Sequence, residues 1–242
     1  MTDFCVSFTS IPSRINDIKK TIDSINSQTL KPSKIFLNLP YKFRRFPDYS
    51  FGKDQITEIE KYNIEINRSD DYGPSTKLIG SLEKIKKYEC VIILDDDHIY
   101  HNKMFEIFIN EFKKKKSNYS FYVQKIFKLN MGQGADGILI DTDDLSKIEV
   151  FYERYVKNNK NLFLNDDLWI SMYLQFIENN KICDLSNTFK EITNENLVYK
   201  IHSEIDTLKD LAAKKILNRR KIAKIEYLKF RIRNYFNSLS HK

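Results

Sequence analysis

The chain has 242 residues, 41% of them hydrophobic, with 17 Phe and 14 Tyr, which is enough apolar material for one large core and excludes disorder along its whole length. Three cysteines, Cys5, Cys90 and Cys183, stand without CxxC spacing, so neither a zinc framework nor a disulfide scaffold is expected, and a reducing, cytoplasmic setting fits best. The formal charge of +7 is uneven: beyond Leu208 lie eleven basic and two acidic residues, so that stretch carries +9 and the remainder −2, a distribution that argues against a nucleic-acid groove spread over the domain.

From the N-terminus, Phe4 to Thr9 reads as a short strand with no basic leader before it, and no stretch of the sequence approaches the ~18 apolar residues of a membrane span. A loop at Ile11-Pro12-Ser13-Arg14 follows, then Ile15, Ile18, Ile22 and Ile25 at helical spacing. Ile35–Leu39, ended by Pro40, predicts a second strand and Ile64–Asn67 a third. After Gly73-Pro74, Leu78, Leu82 and Ile85 mark a helix. Val91–Leu94 is a continuous apolar run of the kind buried on both faces of a sheet, and it stops at Asp95-Asp96-Asp97. Phe105, Phe108, Ile109 and Phe112 form a helical stripe leading into Lys113–Lys116, whose charges suit the negative end of the helix dipole. Strands around Phe121–Val123 and Gly137–Ile140 precede a helix from about Leu145 to Val156, and Leu168, Trp169, Met172, Tyr173 and Phe176 share the face of another. Such alternation predicts an α/β domain with a mainly parallel, helix-covered sheet whose ligands bind beyond the carboxyl ends of the strands.

Three successive aspartates after a buried strand repel one another by roughly 4 kcal/mol per pair at 4 Å and an effective dielectric of 20, so a cation is needed beside them. Strand alternation turns Asp95 and Asp97 to one side, and paired carboxylates with open positions suit Mn²⁺ or Mg²⁺ bridging substrate phosphates. In Asp71-Tyr-Gly-Pro-Ser-Thr-Lys77, the glycine and proline start a helix whose free amides, with Lys77, would face an anion; an ordinary helix start with a solvated lysine explains the same residues. Arg14 stands after the first strand, where a guanidinium could clasp phosphate. Asn165-Asp166-Asp167 opens a helix, and either aspartate could serve as general base or simply stabilise the first turn. His202 is a candidate third metal ligand. His98 and His101, beside Ile99 and Tyr100, read as part of a strand leaving the site.

Five segments in order, Val6–Arg14, Asp71–Lys77, Asp95–Asp97, Gly134–Gly137 and Asn165–Ser171, resemble glycosyltransferases of the A-type, Rossmann-like fold, and are most similar to small family-2-like enzymes of bacterial surface polysaccharide pathways and large DNA viruses. The likeness covers residues 4–202. It implies a nucleotide-sugar donor, a divalent metal, and transfer with inversion to a glycan or lipid-linked acceptor. By position it implies donor contacts at Thr9, Arg14, Asp71, Lys77, Asp95 and Asp96, metal ligation by Asp95 and Asp97, and a base at Asp166 or Asp167. The chain departs from the family-2 pattern in its third consecutive aspartate and in Asn-Asp-Asp where Glu-Asp is usual. A metal-dependent nucleotidyltransferase and a basic-tailed binding module are the rival readings.

Residues 1–207 thus form the expected catalytic domain and 208–242 a basic amphipathic helix, with Ile225, Leu228, Ile232, Phe236 and Leu239 along one face and Arg220, Lys224 and Arg231 opposite. Such a helix can lie on an anionic membrane surface, or its apolar face can pack on the domain or a second subunit.

Overall fold

A computed structural model describes residues 2–193, 195, 197–200 and 209–239. Its centre is a seven-stranded sheet built from β1 (Phe4–Thr9), β2 (Lys34–Pro40), β3 (Glu65–Ser69), β4 (Cys90–Ile93), β6 (Asn118–Ser120), β9 (Ile138–Asp141) and β10 (Ile182–Asp184) in the order β10-β6-β9-β4-β1-β2-β3. The half formed by β3, β2, β1 and β4 is parallel, whereas β9 runs antiparallel between β4 and β6. Two antiparallel pairs stand apart from it: β5 (His98–Tyr100) with β11 (Val198–Lys200), and β7 (Val123–Ile126) with β8 (Leu129–Gly132).

The central strands are apolar on both sides because both faces are covered. Cys90, Ile92 and Leu94 enter the core that contains the helices Ile18–Asn26 and Met104–Lys114, while Val91 and Ile93 enter the opposite core with the helix Asp166–Phe176. This is the period-two alternation of a strand buried in a three-layer sandwich.

Several predicted elements divide in the structure. The helix expected over Leu78–Ile85 is a 3₁₀ turn at Gly73–Ser75 followed by two short helices, Thr76–Ile79 and Leu82–Ile85, interrupted at Gly80 and Ser81. A Cβ at Gly80 would lie 2.6 Å from the Thr76 carbonyl and 3.1 Å from Asn38 Cβ, so this glycine lets the segment pass close to β2. The strand expected across Phe121–Val123 breaks there into β6 and β7, and the helix expected over Leu145–Val156 is a 3₁₀ turn, one helical turn and a π-helical turn in succession.

The C-terminal helix, Lys209–Leu239, lies against this body. Ala223, Tyr227 and Phe230 are buried in the same core as Trp169 and Tyr173. Phe230 packs at 5.7 Å from Phe151 and 5.4 Å from Tyr155, between ring centroids. Glu226, also buried, accepts hydrogen bonds from Asn159 (2.8 Å) and Asn161 (3.1 Å) and pairs with Lys229. The stripe predicted as the apolar face is not the packed one: Ile225, Leu228 and Ile232 are 41%, 46% and 56% exposed. The packed face presents two aromatic rings instead, which bury more apolar area per residue than the aliphatic stripe does. The side chains of Phe236 and Leu239 lie outside those described.

Candidate active site

The site forms where β4 ends and the backbone leaves the sheet. Tyr100, on β5, fixes that exit: its hydroxyl accepts from Asp95 N–H (3.0 Å) and donates to the Asp95 carbonyl (2.9 Å). Thr21 in the helix Ile18–Asn26 fixes the next turn, its hydroxyl lying 2.8 Å from the Asp96 carbonyl and 2.9 Å from the His98 carbonyl. With the backbone held at both places, Asp96 turns away from the other three side chains of Asp95–His98.

Asp96 turns inward. It is 3% exposed, accepts from Ser10 Oγ at 2.5 Å and pairs with Arg14 Nη2 at 2.9 Å. Burial raises its carboxyl to about 6 against the pull of Arg14 and Ser10. Asp97 is the opposite case: burial acts to raise it, but the neighbouring His98 imidazole and the Arg14 guanidinium, at 2.6 Å, outweigh that and hold its carboxyl well below the usual range.

Asp95, Asp97 and His98 bring one ligand atom each to within 4.8 Å of one another. His98 is buried, and its Nδ1 lies 2.8 Å from Asp97 Oδ1. Two carboxylates and an imidazole form a donor set that fits a divalent cation of the Mn²⁺ type. His98 was not expected from the sequence, where its neighbours Ile99 and Tyr100 mark a strand; those neighbours do form β5, and His98 is its first residue. The adjacency Asp-x-Asp-His was the available signal. His202, the histidine expected as a ligand, lies outside the described residues.

Lys77 is delivered from the other side. A buried network holds its backbone: Ser7 Oγ donates to the Lys77 carbonyl at 2.5 Å, and Asn38 Nδ2 donates to Ser7 Oγ at 2.8 Å, tying β1 and β2 to the helix Thr76–Ile79. The ammonium, on a side chain 3% exposed, donates to Asp95 Oδ1 at 2.6 Å and pairs with Asp166 Oδ2 at 2.9 Å. Burial lowers its pKa, but the charges of Asp166, Asp95 and Asp167 outweigh burial and raise it well above the ordinary value. The two cations expected to meet phosphate, Arg14 and Lys77, are thus both bound to carboxylates here.

Asp166 and Asp167 open the helix Asp166–Phe176 and differ in environment. Asp166 is buried and tied to Lys77. Asp167 is half-buried, and its Oδ1 accepts the Gly134 N–H at 2.9 Å. Burial, then the charge of Asp166, push the Asp167 carboxyl well above its ordinary pKa in spite of Lys77. A Cβ at Gly134 would stand 2.7 Å from Lys77 Nζ, 3.1 Å from Asp95 Oδ1 and 3.2 Å from Asp167 Oδ1, so only glycine lets the chain pass this close to the charged cluster.

Asp71 caps the approach to Lys77 by accepting from Gly73 N–H (2.7 Å) and Arg44 N–H (2.6 Å), and Thr9 donates to the Asn38 carbonyl at 2.7 Å. Neither belongs to the carboxylate cluster. The structure therefore gathers Asp95, Asp96, Asp97, Arg14, Lys77, Asp166 and Asp167 into one connected set, with Asp71 and Thr9 at its margin.

No family model matches the sequence, and no curated protein does. Among solved structures, the chain is similar to S. aureus TarS 1–349 in complex with UDP, with a TM-score of 0.53, 14% identity, and 93% of this chain covering 65% of that one. It is similar also to the mannosyltransferase PcManGT from Pyrobaculum calidifontis in complex with GDP-Man and Mn²⁺, with a TM-score of 0.54, 10% identity, and coverage of 76% and 56%. The chain spans less than two thirds of the length of each. At these identities the likeness carries the fold: a mostly parallel, helix-flanked sheet of the A-type glycosyltransferase kind.

Proposed function

We propose that the protein is a metal-dependent glycosyltransferase that moves a sugar from a UDP- or other nucleoside-diphosphate sugar to a hydroxyl of a glycan or lipid-linked acceptor, with inversion. The observation that carries this reading is the convergence of Asp95, Asp97 and His98 at the carboxyl end of the central strand, facing the paired aspartates of the helix Asp166–Phe176, within a fold shared with sugar transferases.

Asp95, Asp97 and His98 would hold Mn²⁺ or Mg²⁺, which supplies positive charge to a departing nucleoside diphosphate. The residues around them account for the rest of the work. Arg14 and Lys77 reduce the repulsion among the carboxylates, and Asp96, turned inward, anchors Arg14. Between the two candidate bases, Asp166 is engaged with Lys77, whereas Asp167 keeps one carboxylate oxygen free of the Gly134 amide, and its raised pKa makes the carboxylate, once ionised beside a bound cation, the stronger proton acceptor. Asp167 is therefore the proposed base, taking the acceptor hydroxyl proton as the sugar leaves the diphosphate, and Asp166 positions Lys77.

The test is a thermal-shift screen of nucleotide sugars with and without Mn²⁺. One nucleotide sugar should raise Tm only when metal is present; no response to any of them counts against the class.

The C-terminal helix offers a second, separable reading. With one face packed on the core, Ile225, Leu228 and Ile232 remain exposed among Lys221, Lys224, Lys229 and Arg231, which are also exposed. No described helix is long and apolar enough to cross a membrane. The exposed stripe suits the surface of an anionic bilayer, where each basic residue contributes about 1 kcal/mol. Pelleting with phosphatidylserine vesicles should fall when Leu228 and Ile232 are both changed to Ser, and equal pelleting removes the membrane role.

A further inference from the structure

A second gathering of cations borders the site. Arg44, Arg45, Lys157 and Lys160, with Asn158, surround a cavity of about 310 Å³ whose apolar lining is Phe163 and Leu164. No carboxylate lines it. Lys157 pairs with Glu153 at 2.9 Å, but Arg44, Arg45 and Lys160 have no ion pair among the described residues, and all four cations are exposed. The Arg44 guanidinium lies over the Phe163 ring, 4.8 Å from its centroid.

Scattered surface lysines are ordinary. Here, however, like charges converge on one concavity, and they repel unless an anion sits among them. The shelf is also built into the site. Phe163 and Leu164 immediately precede Asn165-Asp166-Asp167. Arg44 N–H donates to Asp71 Oδ2 at 2.6 Å, which joins the shelf to the loop leading to Lys77. Gly73, at φ +66°, packs on Phe163 so closely that a Cβ there would lie 2.6 Å from the Phe163 carbonyl oxygen. None of Asp95–His98 lines the shelf, whose floor runs along the chain into the helix that carries the proposed base.

We propose that this shelf binds a phosphate group of the acceptor, so that the acceptor is a phosphate-bearing molecule, either a lipid-linked diphosphate or a phosphodiester-linked glycan. The proposal rests on the transferase reading above. The arginine forks match phosphate oxygens in bidentate fashion, while Phe163 and Leu164 offer apolar surface to the carbon skeleton that carries the phosphate. A hydroxyl on that skeleton is thereby led toward Asp167.

Octyl diphosphate, a short glycerol phosphodiester oligomer and a neutral maltooligosaccharide would be titrated in EDTA into the full chain and into two double variants, Arg45→Glu with Lys160→Glu and Arg45→Gln with Lys160→Gln. UDP titrated with Mn²⁺ serves as the parallel measurement. The unmodified chain should bind at least one anionic probe and not the neutral one, the tighter anion distinguishing lipid carrier from phosphodiester polymer. Charge reversal should weaken that binding by at least about tenfold, and neutralisation by less, with UDP binding unchanged. If the chain binds UDP with Mn²⁺ but treats anionic and neutral probes alike, or if both variants bind the anions as the unmodified chain does, the shelf proposal is overturned alone. If UDP with Mn²⁺ does not bind the unmodified chain, the transferase reading fails first.

Discussion

At the end of β4, Lys77 and Arg14 are each clasped by two carboxylates, and Lys77 is 2% exposed. On the shelf beside the same site, Arg44, Arg45 and Lys160 face solvent with no carboxylate on them. The difference separates two uses of a positive charge. A cation taken out of water is stable only with its counter-charges in place, so Lys77 belongs to the charge balance of the fold, and the partly exposed Arg14 joins it by neutralising the buried Asp96. A cation left in water over an apolar floor contributes little to folding and is free to meet a ligand. The carboxylate cluster should accordingly respond to substitution through stability and activity together, the shelf through binding alone.

The largest effect expected is on activity at Asp97. Asp97→Ala removes one of the three ligand atoms and one of the two carboxylates that clasp Arg14, and transfer should fall by roughly a thousandfold, about 4 kcal/mol of transition-state stabilisation. Excess EDTA should act on the unmodified protein to a similar extent and be reversed by Mn²⁺, measured as nucleoside diphosphate release. Retained activity in Asp97→Ala places the metal elsewhere, and indifference to EDTA counts against a metal requirement.

Lys77→Met comes next and reads stability. It leaves Asp95 and Asp166 without their shared cation, and breaking a buried pair from one side costs about 3–5 kcal/mol. A urea midpoint close to that of the unmodified protein would mean that water enters the cluster freely. The corresponding change on the shelf, Arg45→Gln, should move unfolding by no more than about 0.5 kcal/mol, and the contrast between the two is the comparison in its sharpest form.

How far these regions were legible before the fold was known follows from what each is made of. The run Val91–Leu94 and its abrupt end announced the central strand and the carboxylates beyond it, because a strand buried on both faces has few other sequences. The helix carrying Asp166 and Asp167 was visible for a similar reason, in the spacing of Leu168, Trp169, Met172 and Tyr173. The destination of Lys77 was not, since helical spacing gives the face a residue occupies but not its partner, and a lysine reaching phosphate or carboxylate has the same local sequence. His98 was hidden by its own neighbours, which form a strand as expected. The shelf left no trace, because Arg44 and Lys160 meet only when the loop after β2 closes on the segment before Asp166. On the C-terminal helix two apolar faces compete, and the aromatic one, with Tyr227 and Phe230, is the one that packs.

That packing yields a test of whether the helix belongs to the body or hangs from it. Phe230→Ala empties a place among Phe151, Tyr155 and Phe176, and large-to-small changes of this kind cost about 3–5 kcal/mol, with the lower end expected beside a helix that can shift. Heat or urea should unfold the variant earlier in a single transition. An unchanged midpoint would mean that the helix is dispensable to the core, as a separate tail would be.

The smallest effect expected is also the one with an unusual sign. Burial and the charge of Asp166 raise the Asp167 carboxyl well above its ordinary pKa, so the folded chain holds a proton there that the unfolded chain gives up near pH 4. Below that pH both states are protonated and the group has no effect. As pH rises, the unfolded state ionises first, and stability from this residue falls until the folded carboxyl ionises as well; above that point the loss is complete. Asp167→Asn cannot ionise and keeps an oxygen for the Gly134 amide. In EDTA and without nucleotide, it should therefore raise Tm at neutral pH, with the gain shrinking toward zero at pH 4, while transfer activity is lost. A variant less stable at pH 7 than at pH 4, relative to the unmodified protein, would mean that the cluster stabilises Asp167 as a carboxylate, and the proposed base would then be as firmly held by its cations as Asp166 is.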